Sequence, residues 1–188
     1  MMQDQSFRHI PARSSEFQEK GKVEIDIGLA LVLRNSRTTA SGETQKTFAD
    51  HLYTALLHAG IRTFRDDDGV RRGDHISIEL IKAIKESSIS IIVFSKNYAS
   101  SRWCLDELLK IMERKKTVGH MIFPVFYHVD PSDVRKQTGS FAISFAKHKE
   151  RFMAEMDKTK EDRVEKIKKW KEALSEVEDL AGLILKDG

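Results

Sequence analysis

The segment SISIIVFS, residues 88–95, constrains the fold more than any other stretch of this chain. Its run IIVF, residues 91–94, is apolar at consecutive positions, whereas a strand with one face in water alternates apolar and polar residues. A strand that is apolar on both faces belongs in a parallel sheet with helices packed on each side. The sequence therefore predicts a layered α/β protein.

Strand and helix patterns alternate along the chain on both sides of this segment. Further strands are predicted at residues 23–33, 61–64 and 121–129. Helices are indicated by apolar residues at helical spacing that start near Phe48, Ile76, Leu105, Phe141 and Ile167. This order predicts a doubly wound parallel sheet, of which four strands are clear. The polar stretch 1–22 has no periodicity and is predicted to be a flexible arm.

Several loops are expected at one edge of this sheet, because parallel strands place their carboxyl ends together and ligands bind there. These loops are predicted at residues 34–46, 65–75, 96–103 and 130–140. The first two carry polar or charged candidates for a binding site, which are Arg34, Arg37, Gly42, Glu43, Arg65, Asp66, Asp67, Asp68, Arg71 and Arg72. A ligand is therefore expected at this edge.

Composition argues against several classes of protein. The 32 basic and 29 acidic residues give a net charge of +3, which does not indicate nucleic-acid binding. Cys104 is the only cysteine, so an internal disulfide is excluded and a reducing compartment is expected. No apolar run is long enough for a membrane span or a secretory signal. No phosphate-binding loop, nucleophile elbow or zinc motif is present, so neither a metal nor a permanently bound cofactor is expected.

The stretch SSRWCLDELL, residues 100–109, holds the strongest candidate for chemistry. Trp103 and Glu107 are four residues apart and lie on one side of a predicted helix. A carboxylate beside an aromatic ring in a cleft can stabilise a positively charged reacting centre. The alternative is that Glu107 interacts with the helix dipole while Trp103 fills the core, and spacing alone favours it. Cys104 is expected to be a small buried side chain rather than a nucleophile.

Three long segments resemble the TIR (Toll/interleukin receptor) domain of plant intracellular immune receptors, of TIR-NBS-LRR or TIR-only type. They read FADHLYTALLHAGIRTFRDD, then RRGDHISIELIKAIKESSISIIVFSKNYASSRWCLDELLKIME, then IFPVFYHVDPSDVRKQTGSFAISFAKH. The resemblance is dense over residues 47–149 and assigns residues 23–184 to one TIR domain. It implies a flavodoxin-like three-layer sandwich with a five-stranded parallel sheet and helices on both faces.

The resemblance also implies an activity and the residues that perform it. Members of the family cleave NAD⁺ between nicotinamide and ribose, and the catalytic glutamate of their W-C-L-x-E-L motif falls on Glu107 here. Trp103 is expected to shape the cleft. Nucleotide contacts are implied at Phe64, Arg65, Asp66 and Asp67, and also at Gly42 and Glu43. Residues 71–73 fall on a mobile loop that gates the cleft and contacts neighbouring subunits. NAD⁺ would be a substrate, not a resident cofactor.

The segment 23–46 departs from the family pattern. Members carry D-V-F-L-S-F-R-G-E-D-T-R before the first helix, whereas this chain reads DIGLALVLRNSRTTASGETQKTF. Two hypotheses therefore remain. The chain is either an NAD⁺-cleaving domain of innate immune signalling that works through self-association, or an inactive adaptor or decoy that binds other TIR domains. A phosphoreceiver domain is discounted because only Glu43 offers an acid after the first strand.

The expected partners follow from the same resemblance, whereas the expected location follows from the single cysteine and the short apolar runs. NAD⁺ and other TIR domains are the expected partners, and neither a membrane nor a nucleic acid is indicated. The expected location is the cytoplasm, with the nucleus as a second site.

Overall fold

A computed structural model describes residues 29–32, 40–65, 78–154 and 159–186. The strands in it are β1 (Leu29–Val32), β2 (Thr63–Arg65), β3 (Ile89–Phe94), β4 (Met121–Tyr127) and β5 (Leu183–Leu185). The helices are α1 (Ala40–His58), α2 (Ile78–Glu86), α3 (Arg102–Val118), α4 (Pro131–Lys136), α5 (Gly139–Ala154) and α6 (Lys160–Glu178), with a 3-10 helix at Tyr98–Ser100. The predicted arm, residues 1–22, lies outside the described residues.

The strands form one sheet in the order β2-β1-β3-β4-β5, and every neighbouring pair is parallel. Doubly wound sheets of the flavodoxin type have this order. The chain leaves β1 for one edge and then returns to the other side of β1 at β3, so the direction of winding changes beside β1. The prediction of an α/β protein with a parallel sheet and helices is confirmed.

The central strand β3 shows why the segment 88–95 is apolar on both faces. Ile92 and Phe94 belong to a large core cluster that also contains buried residues of α2, α3, α5 and α6. Ile91 and Val93 belong to a second cluster, where they pack with Ala49 and other residues of α1. Because both faces of the strand are covered by helices, no position in it has to be polar.

Helix α1 begins earlier than the sequence indicates. The prediction of a loop over 34–46 is wrong from Ala40 onward, because Ala40–His58 is one helix. Gly42 and Glu43 therefore lie in its first turn rather than in a loop. Serine, threonine and glycine are weak helix formers, so this stretch has the composition of a loop. Gly60 follows the helix with a φ of 75°, as expected for a residue that ends it.

Strand β5 is not evident from the sequence. It has only three residues, and it is a strand because it pairs with β4. Leu183 pairs with Val125 and Leu185 with Tyr127, so Pro124 lies just before the stretch of β4 that β5 joins. Because proline has no N–H to donate to a strand ladder, it suits a position that β5 does not reach. A Cβ atom at Gly182 would lie 2.6 Å from the Pro124 carbonyl oxygen, so only glycine fits there.

We expect Gly182→Ala to lower the free energy of unfolding by about 1–3 kcal/mol, because the added methyl meets backbone and a proline ring that cannot rotate away. Urea unfolding followed by circular dichroism measures this effect. The neighbouring exposed variant Ala181→Ser is the control and should match wild type. Equal stability of Gly182→Ala and wild type would mean that β5 does not approach Pro124 as described.

None of the helices in the described parts of the chain is both long enough and apolar enough to cross a membrane.

Candidate active site at the start of α3

The candidate site lies where β3 ends and α3 begins. A 3-10 helix, Tyr98–Ser100, joins the two elements, so the first turns of α3 follow directly from the carboxyl end of a central strand. Strand β3 is hydrogen-bonded to β1, beside which the winding of the sheet changes direction. Ligands of doubly wound sheets bind at this position.

Hydrogen bonds fix the turn that leads into α3. Ser101 is the N-cap of the helix, and its hydroxyl accepts a hydrogen bond from the Cys104 amide at 3.4 Å. The Tyr98 hydroxyl donates to the Cys104 carbonyl oxygen at 3.0 Å. The Tyr98 amide in turn donates to the Ser95 carbonyl oxygen at 3.0 Å. The end of β3, the 3-10 helix and the first turn of α3 are thus bonded to one another.

Glu107 is enclosed, although it carries a carboxyl group. Its exposed fraction is 1%, and it lies on the same side of α3 as the buried residues Cys104, Leu108 and Ile111. An ionised carboxylate loses several kcal/mol when it leaves water, so packing alone would favour an apolar residue here. The first turn of α3 contains no acidic residue, so a helix-dipole role does not explain Glu107.

Trp103 and Cys104 lie in the first turn of α3. Trp103 is only partly buried, which does not fit a side chain that fills the core. Cys104 is 1% exposed, as expected for a small buried residue, and as the single cysteine it forms no internal disulfide. Tyr98, which is 4% exposed, stays protonated, because burial raises its pKa well above the ordinary value and the charges of Cys104 and Glu107 raise the pKa further.

The end of β2 holds two of the residues implied as nucleotide contacts. Phe64 is partly buried and packs against the large core cluster. Arg65 forms an ion pair with Asp50 of α1, with 2.6 Å between Nη1 and Oδ1, and its guanidinium lies 5.0 Å from the centre of the Tyr53 ring. Arg65 is therefore oriented by α1, and its contact with a nucleotide stays a prediction.

The other implied contacts fall in different places. Gly42 and Glu43 lie in the first turn of α1, as described above. The remaining candidates lie outside the described residues, and they are Arg34, Arg37, Asp66, Asp67, Asp68, Arg71, Arg72 and Gly73. Within the described parts of the chain, no group of three or more His, Cys, Asp or Glu is placed to hold a metal ion.

His148 is a residue near the site that the sequence analysis did not single out. It is 1% exposed, and its Nε2 lies 2.7 Å from the carbonyl oxygen of Ala99 in the 3-10 helix. Because a carbonyl only accepts, Nε2 is assigned the proton. The signal in the sequence was its position on the apolar side of α5, between Phe145 and Phe152.

We expect the protein to lose stability as the pH falls below about 6.5, and His148 to be one cause. Burial lowers the pKa of His148, and the charges of Arg151 and Arg102 lower it further, while the hydrogen bond to the Ala99 carbonyl and the charge of Asp106 oppose this only in part. The unfolded chain therefore takes up a proton at a pH where the folded chain does not, so protonation favours unfolding.

Urea unfolding between pH 5 and 8 measures this dependence. The free energy of unfolding should be highest above about 6.5 and should decline toward the lower folded-state pKa. His148→Gln should make the free energy of unfolding less dependent on pH. Adding His120→Gln should reduce this dependence further, because burial and then the charge of Arg114 lower the pKa of His120. An unchanged slope in both variants would contradict the assignment.

The fold and the site together define the class of protein, a flavodoxin-type α/β domain with an enclosed carboxylate near the point where the winding of its sheet changes direction. The family model of the TIR domain matches residues 38–187. The chain therefore belongs to the TIR domain family.

Similar proteins agree with this assignment. The chain is 54% identical over 145 residues to the disease resistance protein RPV1 of Vitis rotundifolia, an alignment that covers 77% of this chain and 10% of that protein. It is 48% identical over 140 residues to the TMV resistance protein N of Nicotiana glutinosa, with 74% and 12% covered. The chain thus spans about a tenth of the length of these relatives.

Among solved structures, the chain resembles the TIR domains of the activated Roq1 resistosome, described as directly recognizing the pathogen effector XopQ. The TM-score is 0.68 at 43% sequence identity, and the alignment covers 85% of this chain and 87% of that one. The predicted relationship to TIR domains of plant immune receptors is confirmed.

Proposed function

We propose that this TIR domain is an NAD⁺ nucleosidase that acts in plant innate immune signalling through self-association. The observation that carries the proposal is the burial of Glu107, which is 1% exposed at the carboxyl edge of the sheet. A buried carboxylate costs stability, and its position matches the catalytic glutamate of the family motif that the sequence carries.

The chemistry of NAD⁺ cleavage needs one well-placed carboxylate. The bond between nicotinamide and ribose breaks, and its electron pair leaves with nicotinamide, which was cationic in NAD⁺ and departs neutral. No acid has to protonate this leaving group. The ribose becomes oxocarbenium-like, water adds to it and loses a proton, and the products are nicotinamide and ADP-ribose. Glu107 would stabilise the positive charge on the ribose, as carboxylates do in glycoside hydrolysis.

The electrostatic contribution of such a carboxylate is large enough to matter. Two opposite unit charges about 4 Å apart attract each other by about 4 kcal/mol at an effective dielectric constant of ~20. Water would reduce this value severalfold, so the burial of Glu107 strengthens the effect. Trp103, partly buried one helical turn before Glu107, would form one wall of the cleft.

Self-association is the second part of the proposal. In the single chain Glu107 is enclosed, so NAD⁺ would reach it only after the groups that cover it move. The similar TIR domains of the Roq1 resistosome belong to an activated assembly, which supports assembly as the event that opens or completes the site. We propose the cytoplasm, with the nucleus as a second location, as the place of this activity.

Nicotinamide release from NAD⁺ tests the proposal, measured by chromatography over a range of protein concentrations and on a crowding surface. Wild type should show turnover that rises more steeply than the protein concentration, and Glu107→Gln should show none. The exposed α3 variant Glu113→Gln is the control and should match wild type. If folded, self-associating wild type releases no nicotinamide, the enzyme proposal fails. The alternative, an inactive module that binds other TIR domains, would then account better for the departure of segment 23–46.

A further inference from the structure

We infer that Asp106 and His148 are positioning residues that orient Glu107. Asp106 connects α3 to α6, and His148 connects the 3-10 helix before α3 to α5. Neither residue has to touch the substrate for this role. The catalytic consequence of the inference rests on the function proposed above, whereas its structural consequence does not.

Asp106 uses both of its carboxylate oxygens to contact α6. Oδ1 accepts a hydrogen bond from the Trp170 indole nitrogen at 2.8 Å, and Oδ2 lies 2.9 Å from the Lys166 ammonium. Trp170 is 0% exposed, so it is a fixed partner. The Lys166 ammonium also lies 5.2 Å from the centre of the Trp170 ring. These contacts prevent α3 from turning about its axis relative to α6.

Fixing Asp106 also fixes Glu107, because the two are consecutive on one helix. Consecutive side chains of an α-helix are about 100° apart around the axis, so the direction of one determines that of the next. Partly exposed ion pairs contribute little to stability, about 0–1 kcal/mol at the surface. The side chains of Asp106 and Lys166 are 20% and 31% exposed, so their ion pair adds little to the stability of the fold. The two contacts of Asp106 with α6 are better explained by a role in orienting α3.

His148 contacts the 3-10 helix that leads into α3. Its bond to Ala99 anchors the 3-10 helix, which is also tied to α3 by the bond from Tyr98 to Cys104. His148 is fixed in turn by aromatic rings, with 5.4 Å to the Trp170 ring centre and 6.2 Å to that of Phe145. Trp170 therefore contacts both positioning residues, and the two connections form one unit around the start of α3.

Pairs of conservative and disruptive variants test the inference. Asp106→Asn keeps an oxygen that can accept from Trp170, whereas Asp106→Ala removes it. His148→Gln keeps an N–H that can donate to Ala99, whereas His148→Leu removes it. We expect Asp106→Ala and His148→Leu to lower kcat for nicotinamide release on the order of 10- to 100-fold with little change in KM, because a misplaced group loses mainly transition-state stabilisation. The conservative variants should stay within about twofold of wild type.

A second measurement does not depend on activity. Hydrogen–deuterium exchange should become faster in residues 98–107 of the disruptive variants, but not in β3 or β4, and should return to the wild-type rate in the conservative ones. If a disruptive variant does not fold, Trp170→Phe removes the hydrogen bond to Asp106, His148→Phe removes the bond to Ala99, and both keep an aromatic ring. Exposed Lys168→Ala on α6 is the control and should change neither readout.

The outcomes separate this inference from the proposed function. If wild type releases no nicotinamide, the proposed function fails, and exchange in residues 98–107 alone decides about positioning. Unchanged exchange in the disruptive variants overturns the inference, whatever the activity. The inference is also overturned if Asp106→Asn lowers kcat as much as Asp106→Ala does. Loss of charge, and not loss of orientation, would then explain the lower kcat.

Discussion

Replacing Glu107 with leucine is expected to abolish NAD⁺ cleavage and, at the same time, to make the domain more stable. Loss of the carboxylate should lower kcat by roughly 100- to 1,000-fold or more, the range seen when one preorganised stabilising group is removed. Leucine has a similar volume, and its side chain suits an environment that also holds Cys104, Leu108 and Ile111. The free energy of unfolding should rise by about 1–3 kcal/mol, because leucine avoids the desolvation cost of a buried carboxyl group at a position that serves chemistry rather than stability.

Nicotinamide release and urea unfolding, measured on the same samples, test both halves of this prediction. The matched change Glu113→Leu, at an exposed position of the same helix, should leave activity within about twofold and stability within about 0.5 kcal/mol of wild type. A Glu107→Leu protein that is clearly less stable than wild type would contradict the argument. It would mean that Glu107 holds the core together through its contacts, and that its burial reflects structure rather than function.

Trp170→Ala is expected to cause the largest loss of stability, about 3–5 kcal/mol. The side chain is 0% exposed and stacks on Phe152 with 5.8 Å between ring centres. Its removal leaves a cavity among α3, α5 and α6, and it takes away the indole N–H that donates to Asp106. Trp170→Phe should cost less, because a ring still fills part of the space while the hydrogen bond is lost.

Denaturation followed by circular dichroism measures this loss, and the fluorescence of Trp103 remains as a second probe in both variants. Val164→Ala, at a position of α6 that is 60% exposed, is the control and should stay within about 0.5 kcal/mol of wild type. A loss below about 1 kcal/mol for Trp170→Ala would show that α6 does not pack on α3 and α5 as described.

The parts of the fold that the sequence predicts well are those with long apolar patterns. Residues 88–95 indicated β3 because both faces of that strand are buried, and the order of strands and helices indicated a parallel sheet. Two features were not predictable in this way. The first turns of α1 contain weak helix formers such as Ser41 and Gly42, and packing farther along the helix outweighs their preference. Strand β5 is defined by its pairing with β4, which local sequence does not record.

The candidate site was predictable in a different sense. Spacing placed Trp103 and Glu107 on one side of a helix, but only the resemblance to TIR domains assigned a catalytic role to Glu107. Spacing did not predict that Glu107 is buried on the side of α3 that also holds Cys104, Leu108 and Ile111. The contacts of Asp106 with Trp170 and of His148 with Ala99 join residues 64 and 49 positions apart, so no local pattern indicates them.

The place of β5 in the sheet has a consequence for synthesis of the chain on the ribosome. Strand β4 is complete once Tyr127 has been made, but its edge partner is made only after residues 128–182 have followed. Until then the nascent chain carries an open strand edge at Val125–Tyr127, the apolar stretch of β4 that β5 later joins. Open apolar edges are where chains pair wrongly, so chaperone demand should be greatest in this interval and should end when Leu183–Leu185 joins.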